Sequence, residues 1–131
     1  MDGRDRLGFT LIELLIVIVV IGILAAIAIP KLNVTRVRAF RNSMISDLKN
    51  LSTAQEVYHL NNYAYATSLG DLGHTPSEGV ALEVNEAGAG GWSATATHAG
   101  VSGGQCGIFY GNAAAAGGDP ATTAGVVACD F

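Results

Sequence analysis

Apolar and polar residues alternate differently in three successive stretches of the chain. From Leu14 to Pro30 no residue is charged, and only Gly22 and Pro30 interrupt the greasy run. Extended back to Phe9, the run takes in Thr10 and one acid, Glu13, and reaches about 21 residues at Ile29, close to the ~20 that a helix needs to cross a bilayer. Its many Ile and Val would be ambiguous in a short strand, but this length with apolar residues on every face predicts a helix. After Pro30 the spacing changes to steps of three and four: Val37, Phe40, Met44, Leu48, Leu51, Gln55 and Tyr58. Arg36, Asn42, Ser46, Lys49, Asn50 and Thr53 fall largely elsewhere around the wheel. The pattern predicts one apolar stripe with a polar break at Gln55. Both stretches belong to a single helix from about Phe9 to Asn61, which would reach roughly 80 Å. Asn61-Asn62 is expected to end it, because Asn tolerates the left-handed cap.

The third stretch follows a period of two. Val80, Leu82 and Val84 alternate with Ala81, Glu83 and Asn85. Trp92, Ala94, Ala96 and His98 alternate with Ser93, Thr95 and Thr97. These predict two strands, and Cys106 to Tyr110 and Val126 to Cys129 predict two more. Glycines at 88–91, 103–104 and 117–118 mark turns, residues 62–79 read as a loop, and Ala113 to Ala116 as a short helical turn or more loop. The 70 residues from Asn62 to Phe131 are few for an independent core, so the helix stripe must supply the missing apolar face. The fold class is therefore α+β, a long N-terminal helix whose C-terminal half packs on a roughly four-stranded antiparallel sheet.

Length and charge narrow the function. At 131 residues the chain is one domain, half hydrophobic and only 14% charged, which is wrong for a disordered chain. All seven bases (Arg4, Arg6, Lys31, Arg36, Arg38, Arg41, Lys49) precede residue 50. From Asn50 onward there are seven acids and no Lys or Arg, which argues against nucleic-acid backbone binding there. His59, His74 and His98 are isolated, and no HExxH, GxSxG or P-loop pattern is present, so neither an enzyme nor a cofactor is expected. Asp71, Glu78, Glu83 and Glu86 could hold calcium, although a solvated acidic face is the simpler reading.

Two readings of the N-terminus compete on the residues alone. In one it is an ordinary signal peptide, with Arg4 and Arg6 as the basic region and Ala26-Ile27-Ala28 as a cleavage site. That leaves Glu13 unexplained, since an acid in an apolar helix costs about 2.5–3.5 kcal/mol at the bilayer centre and less near an end. In the other the segment is retained, and Glu13 either has a partner or complements the helix dipole.

The residues Gly8-Phe9-Thr10-Leu11-Ile12-Glu13, followed by the apolar run with Gly22 and Pro30, closely resemble the N-terminus of type IV prepilins and pseudopilins. The likeness is specific from Gly8 to about Pro30, looser to Leu72, and general beyond. It implies removal of a leader (residues 1–8) by a prepilin peptidase between Gly8 and Phe9, and N-methylation of Phe9. It implies a membrane and assembly helix over 9–30, the amphipathic half of the same helix over 31–61 and a globular domain over 62–131. Glu13 would pair with the Phe9 amine of a neighbouring subunit, and the segment between Gly22 and Pro30 would lose its helical form in a filament. Cys106 and Cys129 would form a disulfide closing a 24-residue loop; on the residues alone, two reduced buried thiols are the alternative. The leader departs from the usual pattern, with Asp2 and Asp5 against Arg4 and Arg6 and with Leu7 before Gly8. Bases following the apolar run would favour a cytoplasmic C-terminal side, whereas the family exports that side. The resemblance points to a type IV pilin, held in the inner membrane by lipid contact and polymerised with an assembly platform into a homo-oligomeric extracellular filament for adhesion, motility or DNA uptake. A pseudopilin of a type II secretion system is the alternative, and a membrane-anchored or secreted binding module the second. Direct nucleic-acid binding is not expected.

Overall fold

A computed structural model describes residues 8–131, so the leader expected before Gly8 lies outside the described residues apart from Gly8 itself. Helix α1 spans Leu11–Asn62, the one-turn helix α2 Leu69–Leu72, and four strands follow: β1 Val80–Ala87, β2 Gly91–His98, β3 Gln105–Gly111 and β4 Ala128–Cys129. A 3-10 turn, Ala115–Gly118, precedes β4. Two units divide at Arg36 and Val37, and α1 runs through both.

In the first unit every large apolar side chain from Phe9 to Leu32 is exposed; Phe9 is 89% and Leu11 85% accessible. A helix apolar all round is at home in lipid or in a bundle of its own kind. Among the described residues α1 is the one helix long and apolar enough to cross a membrane. It passes through Gly22 and Pro30 without interruption.

In the second unit the stripe becomes a core. Met44, Leu48 and Leu51 are fully buried and pack with Trp92, Ala94, Ala96, Cys106 and Ile108. Phe40 lies half-buried at the margin, its ring stacked 3.9 Å from that of His98. The sheet is an antiparallel meander in the order β1-β2-β3-β4, and Val80, Trp92, Ala94, Ala96 and Ile108 alternate into the core as a period of two requires. The 3-10 turn lies over the outer face of β3, where a Cβ on Gly107 would collide with the Gly118 carbonyl. The α+β class and the helix-on-sheet arrangement are as the sequence implies.

Three local expectations need correction. Within 62–79, α2 forms where a plain loop is expected. Ser68 caps it, accepting from the Asp71 N–H at 3.3 Å while its hydroxyl donates to the Asp71 carboxylate at 2.8 Å. The last strand is only Ala128–Cys129, because Val126 is exposed outside the sheet. The left-handed residue at the helix end is Tyr63 (φ 56°), not an asparagine. Asn61 and Asn62 instead stay helical, their side-chain amides donating to the Val57 and Tyr58 carbonyls at 3.1 and 2.9 Å. Tyr63 is 83% exposed and gains little packing for this conformation. Tyr63→Gly is therefore expected to hold or raise stability, by up to about 1 kcal/mol, read as the thermal unfolding midpoint of the solubilised chain.

Candidate assembly site

The helix begins at a reciprocal cap. Thr10 is the N-cap, and its hydroxyl accepts the Glu13 N–H at 3.4 Å. One Glu13 oxygen, Oε2, accepts the Thr10 N–H at 2.7 Å and the Thr10 hydroxyl at 3.0 Å. This is the capping box, and its signature Thr-x-x-Glu is legible in Thr10-Leu11-Ile12-Glu13. The sequence expectation of a dipole partner in the first turn misses the role of Thr10, although that spacing could have revealed it. The second carboxylate oxygen, Oε1, takes part in no hydrogen bond among the described residues. The site is thus a carboxylate held at the head of an apolar helix, with one oxygen fixed by the cap, one turn from the exposed Phe9.

Gly22 and Pro30 lie further along the same segment. A Cβ at Gly22 would meet nothing within 4 Å, so no packing within the chain requires this glycine. Pro30 leaves one helical carbonyl without its usual donor.

The far end of the chain is fixed covalently. Cys106 and Cys129 are disulfide-bonded and face each other as partners in the β3–β4 ladder. A loop of this length is worth about 3 kcal/mol in the chain-entropy model. The bond staples a two-residue strand that could scarcely hold itself, and Asp130 reinforces it by accepting the Gln105 N–H at 2.8 Å.

Two polar residues of α1 position the loop that follows. The fully buried Gln55 donates to the Ala66 carbonyl at 2.9 Å and accepts the Ala66 N–H at 2.8 Å. That explains the polar break in the stripe. Buried Asp47 accepts the Ser77 N–H and hydroxyl at 2.8 and 2.9 Å. Tyr65 donates to the Glu56 carboxylate at 3.2 Å, and burial, with the Glu56 charge second, pushes its phenol up to about 12. The raised value favours the protonated folded form. Its contribution is present below pH ~10, the value expected for an unfolded tyrosine, and is lost as pH rises toward 12. The unfolding midpoint is expected to fall over that window, and Tyr65→Phe to flatten the fall.

Of the four acids considered for calcium, Glu78 and Glu83 are exposed and the other two serve turns. Glu86 accepts the Ala114 N–H at 3.0 Å, and Asp71 belongs to the α2 cap. Among the described residues, no three His, Cys, Asp or Glu come together as a metal site.

Comparison with known proteins agrees with the head of the helix. Residues 3–29 match the family described as the prokaryotic N-terminal methylation motif. The head of the chain carries that motif, and the relatives it is similar to are pilins and secretion-system proteins. Type II secretion system core protein G of Klebsiella michiganensis is 38% identical over 68 residues, 52% of this chain and 48% of that protein. The same protein of Klebsiella pneumoniae is 42% identical over 65 residues, 50% of this chain and 46% of that one. The type IV major pilin protein PilA of Myxococcus xanthus is 41% identical over 78 residues, 60% of this chain and 35% of the pilin. These overlaps span less than half the length of each relative. The chain therefore shares with them a region that includes neither partner in full.

Proposed function

We propose that this chain is a pilin-type structural, non-catalytic subunit. It is held in the bacterial inner membrane by α1 and polymerised through that helix into a filament. The observation that carries the proposal is the apolar segment from Phe9 to Ile29, whose large side chains are all exposed, with a single carboxylate at its head. A prepilin peptidase cuts between Gly8 and Phe9, and Phe9 becomes the methylated N-terminus. An α-amine titrates near pH 8 and is cationic below it. In the filament the second oxygen of Glu13 receives the Phe9 amine of a neighbouring copy. Lipid tails are as apolar as the bundle, so helix packing and this pair must supply selectivity. The segment from Gly22 to Pro30 loses helical form on assembly, which the open surroundings of Gly22 and the missing donor of Pro30 allow. The domain after Pro30 is exported, and an assembly platform drives the transfer from lipid to bundle.

Of the two filament kinds, the relatives favour the pseudopilin of a type II secretion system over the type IV pilus expected from the sequence, because the secretion name recurs among them. One specific observation keeps the type IV pilus as a second reading: the 78-residue overlap with a major pilin in a chain whose tail is closed by a disulfide. Filaments formed at native expression decide between them, since fibres extending beyond the cell support the pilus and short periplasmic ones the pseudopilin. N-terminal sequencing of the mature protein tests the reading common to both. Phe9 supports it, Ile29 would mean a secreted protein, and Met1 an uncut anchor.

A further inference from the structure

Within Val37–Phe131 the exposed cations, Arg38, Arg41 and Lys49, all lie on α1. A groove of about 360 Å³ opens between the end of α1 and α2. Ala54, Val57, Tyr58 and Leu72 form its apolar walls, Asn61 and Asn62 add polar groups, and the exposed Asp71 completes the lining. One Asp71 oxygen accepts the Ser68 hydroxyl at 2.8 Å, and the other accepts no hydrogen bond among the described residues. Apolar walls with an exposed carboxylate beside them suit one kind of guest, a lysine or arginine that buries its methylene stem and presents its charge to the acid.

The chain cannot fill this groove from its own basic face. Successive helical residues turn about 100°. Counted this way, Arg38, Arg41 and Lys49 fall on the side of α1 roughly opposite Ala54, Val57 and Tyr58. A second copy can fill it. Donor face and receiving groove are different surfaces of the same unit, so the contact is head-to-tail. Such heterologous contacts, where the rotation does not close a ring, propagate into open helical assemblies.

We propose that the Asp71 groove receives Arg38, Arg41 or Lys49 from a second copy of this chain and sets the lateral contact between neighbouring globular units. The proposal rests on the filament reading above and adds a second contact remote from Glu13. The test is a charge swap in the full chain, scored as sheared filament yield against the cleaved membrane pool. Asp71→Lys is expected to lower yield by at least about tenfold, since like charges in an interface are strongly disfavoured. Glu83→Lys, which makes the same charge change at an exposed acid outside the groove, is expected to assemble near the wild-type level. Combining Asp71→Lys with Arg38→Glu, Arg41→Glu or Lys49→Glu should restore yield in one of the three pairs. Unchanged yield in Asp71→Lys overturns the groove contact. So does loss with no restoring partner, or an equal loss in Glu83→Lys. An unassembled wild-type chain would instead remove the filament reading itself.

Discussion

Glu13→Gln is expected to be inserted, cut before Phe9 and held in the membrane at wild-type levels, yet to give at least about tenfold fewer filaments. The choice of glutamine matters because the carboxylate has two duties. It closes the capping box with Thr10, at 2.7 and 3.0 Å, and in the proposed filament it neutralises the neighbour's amine. Glutamine can serve at this helical position in a capping box but carries no charge. Removing one partner of a buried pair costs about 3–5 kcal/mol, which exceeds a tenfold change in an equilibrium. Glu13→Ala removes both duties and should assemble no better. If Gln assembles normally and Ala does not, the cap alone is the function and the pairing argument falls.

The largest effect on folding is expected at Gln55. Gln55→Leu keeps an apolar-compatible volume in a site with no solvent access but leaves both the N–H and the carbonyl of Ala66 without partners. Each unpaired buried group costs about 1–3 kcal/mol, so a loss of roughly 2–5 kcal/mol is expected, comparable to truncating Leu48 to Ala in the same core. Denaturant unfolding of the solubilised chain, followed by the buried Trp92, measures it. A loss below about 0.5 kcal/mol would show that the Ala66 contact holds nothing in place.

Much of this fold was legible in the residues. The change from an unbroken apolar run to steps of three and four falls at Pro30 in the sequence, whereas burial starts later, with Leu32, Val34 and Val37 still exposed and Met44 the first fully buried residue of the helix. The period of two placed β1 and β2 within one or two residues of their observed limits. What was not legible is instructive. The capping box was written in Thr10 and Glu13 but was overshadowed by the cost of an acid in an apolar run. Gln55 and Asp47 bind a loop that follows in the chain by 11 and 30 residues, so helical periodicity could register them only as a break or a polar position. Tyr63 takes the left-handed place because the neighbouring asparagines use their amides on helix carbonyls, a competition that propensity alone does not rank. The last strand is short because Val126 lies exposed outside the sheet, and the disulfide adds to a ladder of only two residue pairs in securing the tail. The balance between the two filament kinds was never in the N-terminus, which serves both.

The most direct measurement is a filament reconstruction that resolves side chains around Glu13. The account predicts the Glu13 carboxylate within about 4 Å of the Phe9 nitrogen of an adjoining subunit, the ordinary limit for an ion pair. A carboxylate facing water, or bonded only to its own Thr10, would contradict it.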